Sequence, residues 1–389
     1  MPKSKLRVVV ISPTYNEKGN ISKLCRVLLD EVFAKLTNNY DPHILIVDDS
    51  SPDGTGAEVL RLAKEYPNLH LFTNPKKMGL GNAYTKGMHY ALEKLNADIV
   101  FEFDADFQHD PKLIPAMLEK IHEGYDIALG SRYIPGGSIP VTWGWYRKFL
   151  SVVGNVIIRI VITNFSIHDW TTGYRAIKKE VIEAVLPEMN SDNFMGYTFQ
   201  IGFLHKAVRK KYRVGEVPLK FVDRTYGKSK LGAEYIKNTL IYIFKVRIKE
   251  IFESRVFKFA VVGGLGALVQ LIFLQIFRNF LPYSVANLAA IEVAIVSNFI
   301  WNNLWTFSDR SLSAKQIPGK FIQFNMTSAG SILIQELIAI GGQLTIGLFA
   351  LFNMGGLVVD TGIMFAVLGI GLGMIWNYLA YNRIIWKTK

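Results

Sequence analysis

The stretch FEFDADFQHD, residues 101–110, brings Glu102, Asp104, Asp106 and Asp110 together in a chain whose formal net charge is +12. No lysine or arginine lies between Lys94 and Lys112. Carboxylates this close repel one another unless a cation joins them. Strand alternation would put Phe101, Phe103 and Ala105 on one face and Asp104 and Asp106 on the other, with Cα atoms ~7 Å apart. Two carboxylates so placed suit one divalent cation, and hard oxygen ligands select Mg²⁺ or Mn²⁺. Magnesium takes only one or two carboxylates and completes its shell with substrate phosphates, which points to a phosphorylated donor. A bare D-x-D is common; its place at a strand end, followed by Gln108, gives it weight. Glu102 is expected to support the site, and Asp110, before Pro111, to open the next helix.

Three further segments carry polar chemistry. DDSSPDGTG (48–56) has the early spacing of an EF-hand loop, but position twelve is Leu60 and not the bidentate Glu, so that reading fails. As a strand-end turn, its Asp48 or Asp49 is suited to accept hydrogen bonds from a base or ribose. GLGNAY (79–84) is a G-x-G lacking the third glycine, a weak nucleotide signal by itself. RTYGKSK (224–230) sets Arg224, Lys228 and Lys230 around Gly227 and Ser229, a loop able to wrap a phosphate.

Short apolar runs alternating with amphipathic stretches predict a βα-repeat domain with a mainly parallel sheet. Strands are expected at 6–12, 43–49, 70–73 and 97–104, with helices at 20–35, 56–65 and 81–95. Ligands of such sheets bind beyond the carboxyl ends of the strands. PTYNE, DDSSPDGT and DADFQ should therefore converge on one site.

Charge thins out after about residue 255. Residues 259–277 carry no charged side chain and residues 337–382 contain only Asp360. About 20 apolar residues at ~1.5 Å each cross a ~30 Å hydrocarbon core, and four spans are expected near 256–277, 283–306, 321–350 and 357–381. Lys245, Arg247, Lys249, Arg255 and Lys258 precede the first, Arg310, Lys315 and Lys320 lie between the second and third, and Arg383, Lys387 and Lys389 follow the last. Under the positive-inside rule the N-terminal domain, the middle loop and the C-terminus are all cytoplasmic. No signal peptide is expected, and the single Cys25 fits a reducing compartment. The excess basic charge is read as membrane orientation and anionic ligands, not as nucleic-acid binding. Residues 233–255 read as amphipathic interface helices, giving domains at 1–232, 233–255 and 256–389. NFIWNNLWTF (298–307) resembles NYLAYNRIIW (377–386), the mark of an internal repeat, which leaves open whether this part anchors, dimerises or admits lipid. Glu292 and Glu336 stand out as intramembrane carboxylates.

Taken together, PTYNE (13–17), DDSSPDGT (48–55), GLGNAY, DADFQHDP (104–111), SRY (131–133), the spaced Arg147, Ser151 and Asn155, DWTTGYR (169–175), GEVP (215–218) and FVDRTYGKSKL (221–231) resemble the family 2 glycosyltransferases of GT-A fold, and among them the dolichyl-phosphate mannose synthases. Residues 255–386 resemble a GtrA-like membrane domain. The resemblance implies that Pro13, Tyr15, Glu17, Val47, Asp49 and Lys178, with Asp104, Ala105 and Asp106, hold the nucleotide sugar. It implies Asp106 as principal metal ligand with Gln108, and Arg132, Arg224, Ser229 and Lys230 at the acceptor phosphate or diphosphate. Ser50 departs from the family, which often has Gly there, and the Q-x-x-R-W motif of processive members is absent.

The implied reaction is inverting transfer of mannose from GDP-mannose to dolichyl phosphate. A phosphate monoester has its second pKa near ~6 and is mostly dianionic at neutral pH. It needs no base, so Asp169, where relatives that glycosylate hydroxyls keep one, is assigned acceptor positioning. A polyprenyl-phosphate glucose synthase using UDP-glucose, or a non-catalytic lipid-translocating or scaffold protein, are the alternatives.

Overall fold

The computed structural model describes residues 5–36, 38–189, 197–223, 233–347, 349–354 and 357–387, less the side chains of 197, 233–236, 274, 283–284, 287–288, 336, 339, 352–354, 357–360, 363 and 366–367. Arg224, Ser229, Lys230 and the side chain of Glu336 therefore lie outside the described residues. The chain divides into two compact units, Met1–Arg247 and Ile248–Lys389.

The first unit is built on seven strands, β1 (Leu6–Thr14), β2 (Tyr40–Asp48), β3 (Leu69–Thr73), β4 (Ile99–Glu102), β5 (Ile127–Ser131), β6 (Arg175–Lys178) and β7 (Val214–Pro218), in the order β3-β2-β1-β4-β6-β5-β7. β1 pairs in parallel with β2 and with β4, whereas β6 runs antiparallel to both β4 and β5. The helices are α1 (Lys18–Arg26), α2 (Thr55–Ala63), α3 (Leu80–Glu93), α4 (Ile114–His122), α5 (Trp145–Ile162), α6 (Lys179–Val185), α7 (Tyr197–Arg209) and α8 (Ala233–Glu253). Val8, Val9, Val10 and Ile11 of β1 are all fully buried, and alternate residues enter opposite cores: Val8 and Val10 with Leu24, Val59 and Met117, Val9 and Ile11 with Ala83, Met88 and Leu204. A strand covered by helices on both faces must be apolar at every position, which is why LRVVVIS reads as one run.

α8 is less free than an interface helix should be. Ile243, at 1% exposure, packs with Leu240 and Tyr242 into the core beside α3 and α7, while Ile241 and Phe244 are exposed. The first compact unit extends through Arg247, within α8.

The second unit contains α9 (Arg255–Phe277), α10 (Tyr283–Trp301), α11 (Ile317–Thr345) and α12 (Thr361–Ala380). Among the described residues α9 alone meets the length and apolarity needed to cross a bilayer. α11 and α12 occupy the expected third and fourth spans; Gly347, at φ +85°, lies just past the end of α11, and an antiparallel pair, β8 (Ala350–Met354) and β9 (Leu357–Asp360), separates the two helices. The two repeat segments end alike, in π-helical turns at Asn302–Thr306 and Tyr381–Ile385. Their last residues, Phe307 and Trp386, stack with centroids 4.6 Å apart and planes 7° from parallel. Glu292 is exposed.

Candidate active site

Because β1 lies between β2 and β4, with Thr14 opposite Asp48 and Ile11 opposite Glu102, the loops leaving these three strands meet at one edge of the sheet. The first two are fastened to each other. The N–H groups of Asn16, Glu17 and Lys18 donate to Ser51 Oγ (3.0 Å), Thr55 Oγ1 (3.1 Å) and Asp53 Oδ2 (3.0 Å). Pro13 and Tyr15 are half-buried at this edge, and Lys77 lies 4.1 Å over the Tyr15 ring. Glu17 accepts from Asn20 Nδ2 at 2.9 Å. The side chains of Val47 and Ala105 are buried in the cores, so only their backbone can meet a ligand.

Asp48 and Asp49 are mainly builders of this edge. Asp48 accepts from the Thr14 and Ser51 hydroxyls and from Ser51 N. Asp49 holds the loop before α3, accepting from Asn74 Nδ2 (2.7 Å), Met78 N (3.0 Å) and Gly79 N (3.1 Å). Of about four lone-pair directions on a carboxylate, these donors leave about one for a base. Ser50 sits at φ +54°, where glycine is unstrained, and its hydroxyl donates to Asn74 O.

The acidic motif departs from the expected geometry. β4 ends at Glu102, and residues 103–110 form a turn, so Asp104 and Asp106 are not alternate residues of a strand. Phe107 takes φ +61°, an unfavourable value for an aromatic residue of the kind found where a site over-determines its backbone. Asp106, 6% exposed, accepts from Gln108 N at 3.1 Å, and Gln108 Nε2 donates to Val222 O at 3.3 Å. That bond ties the motif to the segment leading into residues 224–230. Asp110 accepts from Lys112 N and caps the turn opening α4, as expected.

Beneath the motif lies a buried layer of Tyr84, His109 and Arg175 around the expected supporting residue Glu102. Tyr84 of GLGNAY donates to Asp104 Oδ1 at 3.0 Å. His109 Nδ1 accepts the Asp104 N–H at 3.0 Å, which leaves its proton on Nε2, and its ring stacks on Tyr174. Glu102, fully buried, lies 3.7 Å from the equally buried Arg175. Burial outweighs the attraction of Arg175 and pushes the Glu102 carboxyl up to about 7. Glu102 is expected from the sequence to support the site; its partner Arg175 lies across an antiparallel pairing that spacing does not reveal.

Arg132, just past β5, and Asp169 form the other wall. Arg132 donates to the carboxylate through Nε and Nη2, both at 2.7 Å, and through its backbone N at 3.1 Å. Thr171 adds its N–H and hydroxyl, each at 3.3 Å. Burial alone would raise the Asp169 carboxyl; the Arg132 guanidinium and these hydrogen bonds outweigh it and hold the carboxyl below its ordinary value. The spaced Ser151 and Asn155 serve this wall, Ser151 bonding to the Tyr133 hydroxyl and Asn155 Oδ1 accepting from Trp170 N at 2.8 Å, while Arg147 stacks on Trp143. The wall meets the acidic motif at Gly173, whose added Cβ would lie 3.8 Å from Asp104 Oδ2 and 3.7 Å from His109 Cε1.

Lys178 is not brought to the site. β6 runs antiparallel to β4, which places Arg175 opposite Glu102 and Lys178 opposite Ile99, at the far end of the strand. There Lys178 pairs with Asp126 at 3.1 Å. Also unforeseen is the outward face of α5, where Trp145, Phe149, Val152, Val156 and Ile160 form an exposed apolar stripe.

Residues 9–186 match the family described as glycosyl transferase family 2, and residues 258–386 the GtrA/DPMS transmembrane domain. A dolichol-phosphate mannosyltransferase of Pyrococcus furiosus is 33% identical over 370 residues, covering 93% of this chain and 98% of that protein. A polyprenol monophosphomannose synthase of Mycolicibacterium smegmatis is 37% identical over 241 residues, covering 62% of this chain and 85% of its own length. Among solved structures, a glucosyl-3-phosphoglycerate synthase of Mycobacterium tuberculosis matches with TM-score 0.45 at 15% identity, over 63% of this chain and 78% of the other. A mannosyltransferase of Pyrobaculum calidifontis matches with TM-score 0.37 at 16% identity, over 97% and 87%. The chain belongs to the family 2 glycosyltransferases, in the group of the dolichol-phosphate mannosyltransferases, and carries a GtrA/DPMS transmembrane domain.

Proposed function

We propose that this enzyme transfers mannose from GDP-mannose to dolichyl or a related polyprenyl phosphate, with inversion, on the cytoplasmic face of the cell membrane. The observation that carries this reading is the saturation of Asp169. A carboxylate with five donors and a lowered pKa is a poor proton acceptor. An acceptor at this wall must therefore arrive already nucleophilic, as a phosphate dianion does and a sugar hydroxyl does not. Arg132, anchored on Asp169 through Nε and Nη2, is assigned to the acceptor phosphate or diphosphate by resemblance. Arg224, Ser229 and Lys230 are assigned the same task by resemblance. Catalysis is then mainly positioning.

On the donor side, Pro13, Tyr15, Glu17 and the remaining acceptor capacity of Asp49 take the nucleoside, and the backbone at Val47 and Ala105 completes the edge. Asp106 with Gln108, in a turn beside Asp104, fits a divalent cation. Among the described residues no group of three or more His, Cys, Asp or Glu side chains forms a metal cage. Mg²⁺ or Mn²⁺ would share one or two carboxylates with a diphosphate. When bound, the ion would neutralise charge developing on the departing GDP. Basic residues flanking the helices of the second unit support the cytoplasmic assignment. The exposed apolar stripe of α5 and the exposed Ile241, Phe244, Ile248, Ile251 and Phe252 of α8 suit a membrane surface, where the lipid acceptor resides. The test is a transfer assay on membranes containing the protein, supplied with a polyprenyl phosphate and either labelled GDP-mannose or UDP-glucose.

A further inference from the structure

GLGNAY is by itself only a weak G-x-G nucleotide signal, and the side chain it delivers to the site is Tyr84. We propose that Tyr84 is a positioning residue of the donor site, fixing the Asp104 carboxylate in the one orientation that serves the nucleotide sugar. This rests on the donor-binding reading above.

The support is geometric. α3 sits unusually close to the sheet at Gly87, where an added Cβ would lie 2.8 Å from Ile11 Cγ2 and 3.0 Å from Val47 Cγ2. Tyr84, about one turn earlier, is carried on the same helix face to the point where β1 and β4 end. Its ring is fully buried and stacks on Phe199 of α7, with centroids 6.2 Å apart and planes 12° from parallel. Backbone and ring are thus both fixed, and the hydroxyl meets Asp104 Oδ1 at 3.0 Å. Phenylalanine would fill the same space and keep the stacking. The hydroxyl is therefore explained by the carboxylate and not by the core. Asp104 needs this restraint, because β4 has ended and its neighbours in the chain include Glu102 and Asp106, whose charges repel it. With Oδ1 held by Tyr84 from below, Oδ2 is turned toward Gly173. His109 accepts the Asp104 N–H at Nδ1, and its Nε2 lies 3.8 Å from Asp104 Oδ2, so the ring flanks the second carboxylate oxygen while Tyr84 holds the first.

The experiment is GDP binding in the presence of Mn²⁺, by calorimetry, for the full-length protein and for Tyr84→Phe, Asp104→Asn and the double variant, with thermal melting of each. Tyr84→Phe should weaken GDP by about tenfold or more, the size of a lost hydrogen bond to a charged group, with little change in melting temperature. In the Asp104→Asn background the same change should have no further effect, a coupling that a purely structural role would not produce. Unchanged GDP affinity in Tyr84→Phe, or equal losses in both backgrounds, overturns the proposal. Wild-type protein that binds no GDP at all overturns the donor reading itself and this inference with it.

Discussion

Replacing Asp169 with Asn separates the two roles a carboxylate at this position can have. Asp169 is fully buried, and the Arg132 side chain that grips it is 9% exposed. Breaking one side of a buried ion pair leaves the other charge uncompensated and costs about 3–5 kcal/mol. In a unit of this size each kcal/mol corresponds to about 2–4 °C, so the melting temperature should fall by roughly 10 °C. The pH dependence has a definite sign: a carboxyl whose folded pKa is depressed stabilises above its unfolded value of ~3.9, and that contribution is lost as pH falls through the folded value. The gap between Asp169→Asn and wild type should therefore be full at pH 7 and close only in acid. Transfer should be assayed well below the variant's melting temperature. If Asp169 acts only by holding Arg132, then Asp169→Asn and Arg132→Met lower kcat/KM by similar factors, and the double variant loses no more than either. A further loss of tenfold or more on adding Asp169→Asn to Arg132→Met would show that Asp169 acts on the acceptor itself. So would an Asp169→Asn protein of undiminished stability that transfers nothing.

Two other substitutions test the framework. Glu102 has a folded pKa of about 7, above its unfolded value, so its contribution is greatest below pH ~4.5 and declines as pH rises to about 7. The stability of Glu102→Gln relative to wild type, from denaturation at a series of pH values, should improve by about 3 kcal/mol between pH 4.5 and pH 8; a flat difference refutes this. At Ser50 the left-handed backbone costs about 1 kcal/mol and the hydroxyl bond to Asn74 O returns about as much. Ser50→Gly should melt close to wild type and Ser50→Ala several degrees lower; the opposite order would contradict the backbone assignment.

The site was legible in the sequence where it depends on strand ends. PTYNE, DDSSPDGT and DADFQ leave adjacent parallel strands, so reading each as a strand's carboxyl end was enough to bring them together. What depends on strand direction was not legible: nothing in DWTTGYRAIK announces that Arg175–Lys178 runs antiparallel, and that reversal sends Lys178 away while bringing Arg175 under Glu102. The alternation of FEFDADF carries to Asp106, four residues past the true end of β4, because apolar Phe103 and Ala105 continue the pattern through a turn. Asp169 could be singled out, but its partner Arg132 lies 37 positions away and the saturation of its oxygens is a tertiary fact. In the second unit, β8 and β9 hide in an apolar run that periodicity cannot distinguish from helix.

Mannosyl transfer to a lipid phosphate is proposed to run through Asp106 and its neighbours. Membranes carrying the wild-type protein or Asp106→Ala, given a polyprenyl phosphate, Mg²⁺ or Mn²⁺, and labelled GDP-mannose or UDP-glucose in parallel, test it most directly. A mannosylated lipid phosphate should form from GDP-mannose with the wild type only, and chelation should abolish it. Transfer from UDP-glucose in its place, or undiminished mannosyl transfer by Asp106→Ala, would contradict this proposal.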